Sequence, residues 1–275
     1  MENNLRPTAR TERLAIMAAM PKELEGLVGA MGPSMTVQQV AMRDFYLGDI
    51  AGQPCVVALS RIGKVAAATT TAILIETFGV TEVVFAGLAG GIHPSVRIGD
   101  IVVASRLMQH DLDARPLFDR YEVPMLGRSQ FEPDQALSLA LARHAAAFLE
   151  ELAIEAGQSP SGEAAGTRKP GLHQGVIATG DIFVSDAERG GEIRQRLPDV
   201  LCVEMEGAAM AQVCYEFGIP YAVLRVISDH ADPGAKLQFA DFLERKAGRY
   251  TWGVLSKFLQ ARSTQRELPD LARQA

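Results

Sequence analysis

The stretch VLCVEMEGAAM, residues 200–210, passes from an apolar run through two acids into a helical pattern. A second apolar run, YAVLRVI at residues 221–227, ends in Ser228 and Asp229. Apolar runs of this length are typical of buried strands. Open α/β sheets bind ligands at strand ends, so Glu204, Glu206 and Asp229 together predict a site, although any one acid alone would more simply be a helix cap or a salt-bridge partner.

Outward from these two runs, strand patterns alternate with helical ones. Strands are predicted at residues 14–20, 45–50, 54–60, 82–87, 101–105 and 175–180, and helices from Pro21, over 64–78, 134–152, 206–217 and 239–261. Such alternation predicts a mostly parallel or mixed sheet flanked by helices. We expect one domain at 13–261, tails at 1–12 and 262–275, and a flexible excursion at 155–171, which is rich in Gly, Ser, Pro and Ala.

Composition excludes several classes of partner. The chain of 275 residues has 27 Lys and Arg against 33 Asp and Glu, a net charge of −6, with no basic block, so a nucleic-acid partner is not expected. No apolar run is long enough to span a membrane. The three cysteines lie in apolar runs and favour core positions in a reducing compartment, so we expect a soluble, cytoplasmic protein. The segment His110-Asp111-Leu112-Asp113 has poor spacing for zinc, and neither a metal nor a cofactor is predicted.

Four short segments carry a family resemblance: AAMPKE at 18–23, RIGKVAA at 61–67, VEMEGAA at 203–209 and RVISD at 225–229. Together they resemble the nucleoside phosphorylase and nucleosidase superfamily, and within it the 5′-methylthioadenosine/S-adenosylhomocysteine nucleosidase branch. The resemblance covers roughly residues 14–260. It implies a three-layer α/β/α fold with a mixed central sheet, a homodimer, and a role in methionine salvage.

The acids suit cleavage of an N-glycosidic bond, which needs a proton for the departing purine and a nucleophile behind the sugar. Burial would keep the carboxyl of Asp229 protonated, with Ser228 orienting it, and the resemblance assigns the purine proton to this Asp. Glu206 would hold the ribose hydroxyls, with Met205 flanking the sugar. Glu204 would face the opposite side and is secondary. By resemblance alone, Glu23 is the general base; from spacing, it is equally a solvated acid in the first turn of a helix.

Other residues are expected to complete the substrate site. Arg225 would pair with Glu23 or orient the water, because a buried strand arginine needs a carboxylate. Phe183 would stack on the purine, with the backbone of Val184 at the base edge. The remaining expected binding positions are Ile62, Ala89 and Gly90. The glycines at 87–91 lack the G-x-G-x-x-G spacing of a dinucleotide site and instead predict a loop beside the sugar, where Leu88 stands in place of the family's usual hydroxyl residue.

Together with the resemblance, these residues predict a nucleosidase that hydrolyses the N-glycosidic bond of 5′-methylthioadenosine/S-adenosylhomocysteine-type nucleosides to adenine and a 5-thioribose. Phosphorylases of the superfamily hold phosphate with arginines near the first strand and just before the Gly-rich segment, but here the segments 20–23 and 83–87 contain no arginine, so water is the expected nucleophile. A phosphate-dependent purine nucleoside phosphorylase and a nonenzymatic nucleoside-binding protein remain alternatives. The resemblance also implies that residues of the segment before Asp134 cap the partner subunit's 5′-pocket: Leu117, Phe118, Pro124 and Met125. The identity of the 5′-group stays open.

Overall fold

The computed structural model describes residues 12–157 and 168–274. In those residues the strands are β1 (Leu14–Ala18), β2 (Thr36–Val40), β3 (Arg43–Ile50), β4 (Gln53–Leu59), β5 (Glu82–Gly91), β6 (Ile101–Gln109), β7 (Leu172–Thr179), β8 (Val200–Glu204) and β9 (Tyr221–Asp229). The helices are α1 (Pro21–Ala30), α2 (Lys64–Glu76), α3 (Gln135–Glu155), α4 (Ala187–Arg196), α5 (Gly207–Phe217), α6 (Ala235–Phe242) and α7 (Gly248–Gln274), with a π-helical turn, Leu243–Ala247, between the last two.

The strands form one mixed sheet in the order β2-β3-β4-β1-β5-β8-β7-β6-β9. β5 also pairs with β9, so the strands β5, β8, β7, β6 and β9 close into a ring. β5 runs parallel to β1 and β9 and antiparallel to β8. The C-terminal ends of β1, β5 and β9 therefore meet at one edge, next to the junction of β8 and α5.

Helices cover the sheet on both faces. Alternate side chains of β1 point to opposite faces, as the strand period requires: Met17 packs in the core beside α2 and α5, and Ile16 in the core beside α1 and α7. α2 contacts α5 on the first face, and α1 and α3 contact α7 on the second. The predicted three-layer α/β/α class with a mixed central sheet is confirmed.

Several local predictions need correction. Residues 88–91 are not a loop but the last four residues of β5: Leu88, Ala89 and Gly90 pair with β9, and Gly90 and Gly91 pair with β8. The single final helix expected at 239–261 is instead α6, the π-helical turn and α7, which runs on to Gln274. The helix α4 and the strand β2 were not predicted.

Some expectations fall on residues that the structure does not describe. Residues 1–11 of the expected N-terminal tail and residues 158–167 of the expected excursion lie outside the described ranges. Just after the second gap, Arg168 forms a bidentate pair with the buried carboxylate of Asp100, at 2.8 and 3.1 Å. Within the described ranges, we find no helix with the length and apolar character that a bilayer crossing requires.

Candidate functional site

A cavity of about 310 Å³ opens at the edge where β1, β5 and β9 end. Nine of the predicted site residues line it: Glu23, Ile62, Ala89, Gly90, Phe183, Met205, Glu206, Ser228 and Asp229. Val184 lines a small cavity that adjoins it, together with Phe183 and Asp229. Arg225 is buried behind the cavity wall. The structure thus brings together residues that lie far apart in the sequence.

A β-bulge aims Ser228 and Asp229 at the cavity. The register between β5 and β9 shifts between Ala89 and Gly90, so that Ala89 pairs with Ile227, Gly90 pairs with Asp229, and Ser228 is the extra residue. Bulges of this kind redirect side chains beside functional sites. The Asp229 carboxylate accepts hydrogen bonds from the Ser228 hydroxyl at 2.8 Å and from the Ala231 N–H at 2.9 Å.

The carboxyl group of Asp229 has a raised pKa. The residue is 2% exposed. Burial raises the pKa of Asp229 above its ordinary value, and the hydrogen bonds from Ala231 and Ser228 offset only part of that rise. A carboxyl group that retains its proton close to neutral pH can act as a general acid.

Glu23 is also buried, at 2% exposure, so it is not a solvated acid. Its Oε2 accepts hydrogen bonds from the N–H groups of Ala19 and Met20 at 3.0 and 2.8 Å, and its Oε1 accepts one from the N–H of Leu88 at 3.0 Å. Burial raises the pKa of Glu23, while these hydrogen bonds and the nearby charge of Arg225 lower it, and the rise prevails. A carboxyl group held in this way is a rigid acceptor beside the cavity.

The ion-pair partner of Arg225 is Glu204, where the sequence had suggested Glu23. Glu204 Oε2 accepts hydrogen bonds from Arg225 Nη2 at 2.5 Å and Nε at 3.2 Å, and both side chains are almost completely buried. The Arg225 guanidinium also lies 4.1 Å from the centroid of the Phe85 ring. Glu204 further accepts a bond from the N–H of Gly207 at 2.7 Å, at the start of α5. Glu204 therefore joins strand β9 to the first turn of α5.

Glu206 stands between these buried charges and the cavity. Its Oε1 accepts a hydrogen bond from the N–H of Gly63 at 3.0 Å. Burial raises the pKa of Glu206 to about 7; the charge of Glu204 adds to the rise, whereas Arg225 and the Gly63 N–H oppose it. This carboxyl group therefore titrates near neutral pH.

Two aromatic rings flank the mouth of the cavity. Phe183 is 43% exposed, and its ring lies edge-on to that of Phe239, with centroids 5.7 Å apart and an interplanar angle of 71°. Sequence reasoning missed Phe239, which α6 carries, and also the lining residues Ala19, Met20 and Val203. Phe239 sat at the start of a predicted helix, where a phenylalanine is most simply an ordinary core residue. Ala19 and Met20 could have been found, since they directly follow the first strand.

The nearby cations do not face the cavity. Within the described ranges, its lining contains Glu23, Glu204, Glu206 and Asp229 but no lysine or arginine. Lys22 pairs instead with Glu25 and Glu244, at 3.8 and 3.3 Å. Arg61 donates to the carbonyl of Met42, and Arg225 is ion-paired with Glu204 behind the cavity wall. The lining is therefore unfavourable for an anion such as phosphate.

The acids and histidines are not arranged around a cation. In residues 12–157 and 168–274, there is no group of three or more His, Cys, Asp or Glu side chains that could hold a metal ion. Asp111 of the segment at 110–113 binds Lys64 Nζ at 2.7 Å, and Asp113 pairs with Arg115 at 2.6 Å. The two carboxylates thus have separate cationic partners within the protein.

Comparison with known proteins places this geometry in a family. Residues 13–259 match the sequence profile described as the phosphorylase superfamily. The chain belongs to the phosphorylase superfamily. A 5′-methylthioadenosine/S-adenosylhomocysteine nucleosidase of Shewanella denitrificans is 36% identical over 241 residues, which are 87% of this chain and 95% of the relative.

Solved structures of the family share the fold. The nucleosidase of that name from Neisseria meningitidis, in complex with methylthio-immucillin-A, superposes with a TM-score of 0.79 at 32% identity, covering 91% of this chain and all of the other. A futalosine hydrolase of Helicobacter pylori gives a TM-score of 0.72 at 32% identity, covering 89% of this chain and 96% of the other. The family resemblance inferred from the four short segments is confirmed.

Proposed function

We propose that this chain is a nucleosidase that hydrolyses the N-glycosidic bond of nucleosides of the 5′-methylthioadenosine and S-adenosylhomocysteine type. One observation carries the proposal: a buried carboxyl with a raised pKa, Asp229, and a buried, backbone-held carboxyl, Glu23, share one apolar cavity with Glu206. The names of the relatives in the family support the same activity.

Each acid takes a separate part in the reaction. The bond between N9 of adenine and C1′ of the sugar breaks, its electron pair goes to the base, and Asp229 transfers its proton to N7. Glu206, when ionised, accepts hydrogen bonds from the 2′- and 3′-hydroxyls and favours the positive charge that develops on the ribose. Water adds to C1′ and loses a proton to Glu23. The products are adenine and a 5-thioribose.

The other lining residues hold the substrate. Phe183 stacks on the purine, with the Val184 backbone at the base edge, and Met205 flanks the sugar beside Ala89 and Gly90. Ile62 contacts the side of the nucleoside nearest the mouth. The half-exposed ring of Phe183 supports the stacking role, because the ring is free to receive a flat ligand.

The positive charge of Arg225 stabilises the ionised forms of two nearby acids. Its guanidinium lies close enough to Glu23 and Glu206 to lower the pKa of both carboxyls, even though its hydrogen bonds go to Glu204. It thereby favours the ionised form of both acids, which a base and a ribose acceptor require.

Water is the proposed nucleophile in place of phosphate. The cavity lining described above presents four acids and no cation, and a phosphate dianion next to Glu23 would be repelled. The Leu88 side chain, which also lines the cavity, offers no hydroxyl for a phosphate oxygen. A phosphorylase of the same fold is the alternative that this observation disfavours.

We further propose a homodimer in the cytoplasm, serving methionine salvage. Leu117 and Met125 support the dimer, since they are 83% and 91% exposed in the single chain, which is costly for large apolar side chains unless they are covered. With Phe118 and Pro124 they would cap the partner's 5′-pocket. Sedimentation equilibrium tests the oligomeric state directly: a monomer at micromolar concentration would contradict the proposed dimer.

The deciding experiment measures adenine release from 5′-methylthioadenosine in phosphate-free buffer, with and without added phosphate. Equal release in both conditions supports the hydrolase. Release that requires phosphate identifies a phosphorylase, and binding without release identifies a nonenzymatic nucleoside-binding protein. S-adenosylhomocysteine and futalosine, tested in parallel, determine the preferred 5′-group.

A further inference from the structure

A cluster of three charged residues joins the start of α2 to the segments that follow β6 and β7. Asp111 Oδ1 accepts a bond from Lys64 Nζ at 2.7 Å, and its Oδ2 accepts one from the N–H of Asp181 at 2.9 Å. The carboxylate of Asp181 in turn accepts a bond from the N–H of Lys64 at 2.8 Å. We name Lys64, Asp111 and Asp181 the Lys64 cluster.

The Lys64 cluster is partly shielded from water. The side chains of Lys64 and Asp111 are each 19% exposed. Burial alone would raise the pKa of Asp111, but the bonds from Lys64 and Asp181 outweigh it and the pKa is lowered. The Asp111 carboxylate is therefore ionised near neutral pH, and its bond from the lysine ammonium is a charge-assisted contact stronger than one between neutral groups.

The Lys64 cluster is attached to the ribose end of the cavity through one residue. Gly63 directly precedes Lys64, and its N–H is the donor to Glu206 Oε1. Gly63 has a φ of +97°, and a Cβ at this position would stand 3.1 Å from Asp181 Oδ1. The backbone at Gly63 thus adopts a conformation that favours glycine, beside a carboxylate of the cluster.

The same lysine is also tied to the helix that follows Glu206. Lys64 Nζ donates to Gln109 Oε1 at 3.0 Å, and Gln109 Nε2 donates to Gln212 Oε1 of α5 at 3.0 Å. The loop that holds Glu206 from one side and the helix that begins after it are therefore connected through Lys64. Movement of either would break hydrogen bonds made by Lys64 or by Gln109.

From this arrangement, and on the basis of the proposed function, we infer that Asp111 is a positioning residue for the ribose-binding carboxylate. Acting through Lys64, it fixes the Gly63 N–H at the distance at which that group holds Glu206 Oε1 in place for the sugar hydroxyls. Asp111 itself does not line the cavity, so its contribution is made through Glu206.

A double-mutant cycle of binding separates positioning from a general structural effect. Dissociation constants for 5′-methylthioadenosine are measured in an Asp229→Asn background, which removes turnover, for Asp111→Asn, Glu206→Gln and both together. We expect Asp111→Asn to weaken binding about tenfold when Glu206 is present and less than about threefold when it is combined with Glu206→Gln. Undiminished binding by Asp111→Asn, or equal losses in both backgrounds, would overturn the inference.

The pH dependence gives a second readout that a structural role would not move. The groups that set the pKa of Glu206 are Glu204, Arg225, the Gly63 N–H and Glu23. Loss of the Gly63 hydrogen bond removes a contact that lowers this pKa, so the acid limb of kcat/KM should move to higher pH in Asp111→Asn. An unmoved acid limb would count against the inference.

Asp44→Asn is the matched control, since Asp44 is an exposed carboxylate bonded to Gln39 at 3.1 Å on β3. It should leave binding, the acid limb and the melting temperature unchanged. The binding cycle needs no catalysis, so a wild-type protein that binds the nucleoside without releasing adenine would refute the proposed hydrolase without affecting this comparison. A tenfold loss in Asp44→Asn as well would refute the specific role of Asp111.

Discussion

Gly90 lies directly against the carboxylate of Asp229: a Cβ on Gly90 would stand 2.9 Å from Asp229 Oδ1 and 3.2 Å from the Cβ of Ala231. Real Cβ atoms do not approach an oxygen so closely, so any side chain at position 90 must push the acid away. The two residues face each other across the β5–β9 pairing, beside the bulge at Ser228. The glycine in this strand is therefore needed for the position of the acid.

We predict that Gly90→Ala lowers kcat by about a hundredfold, because displacing a catalytic group by roughly 1 Å costs this much. Steady-state kinetics of adenine release provide the measurement. Gly29→Ala in α1 is the control, since no atom lies within 4 Å of its added Cβ. A Gly90→Ala enzyme with kcat close to that of the parent would show that Asp229 tolerates the shift.

Asp229→Asn should abolish turnover and leave nucleoside binding within about tenfold, a change of roughly 1.4 kcal/mol or less. The amide keeps the size of the side chain but has no proton of carboxylic-acid character to give to N7. Single-turnover kinetics and calorimetric titration measure the two quantities separately. Asp232→Asn, at a carboxylate that bonds the Gly234 N–H in the following turn, should remain active. Near-normal turnover by Asp229→Asn would remove this residue as the acid.

Glu206→Gln should be poorly active yet more stable than the parent at pH 8. The folded-state pKa of Glu206 is raised from 4.5 to about 7, so its contribution to stability is fully present below about pH 4.5 and is lost as the pH rises through about 7. Glutamine mimics the protonated acid at every pH, and the expected gain at pH 8 is roughly 1–3 kcal/mol. Urea unfolding at pH 5 and pH 8 tests the sign, and equal differences at both values would contradict it.

Breaking the buried pair of Glu204 and Arg225 should lower the free energy of unfolding more than breaking a partly exposed ion pair. Glu204→Gln removes the hydrogen-bonded counter-charge of the buried guanidinium, which costs about 3–5 kcal/mol. Glu82→Gln breaks a partly exposed pair with Arg262 and should cost less than about 1 kcal/mol. Thermal unfolding of the two variants at equal protein concentration compares them, and similar losses would show that the buried pair has no special weight.

The site was predictable where strand ends and acids coincide. Asp229 and Glu206 each follow an apolar run, and parallel strands bring such ends together at one edge. The bulge at Ser228 was not predictable, since it depends on how β9 pairs with β5. Residues 88–91 were expected to form a loop because their glycines suit close backbone approach to a ligand, but pairing with β9 up to Gly90 and with β8 at Gly90 and Gly91 keeps them in β5.

Tertiary partners were the hardest part to predict. The sequence showed that Arg225 needs a carboxylate, but Glu23 and Glu204 were both available, and only the three-dimensional arrangement selects Glu204. Likewise, no local signal distinguishes Phe239 from a core residue, because its place at the cavity mouth depends on how α6 packs against β9. Periodicity predicts which faces are buried; it contains no information on which buried charge meets which.

Strand β5 contacts both the proposed base and the proposed acid, and this limits which parts of the site substitutions can alter. The N–H of Leu88 donates a hydrogen bond to Glu23, and two residues later Gly90 lies against the carboxylate of Asp229. The proposed base and the proposed acid are therefore both positioned by one short stretch of β5, whose backbone rises about 3.3 Å per residue. The backbone spacing of β5 therefore sets the distance between the two acids, as long as position 90 remains glycine. Residues at the cavity mouth, such as Phe183 and Phe239, lie outside this strand. Substitutions at the cavity mouth can therefore change the substrate preference while the distance between the two acids stays constant.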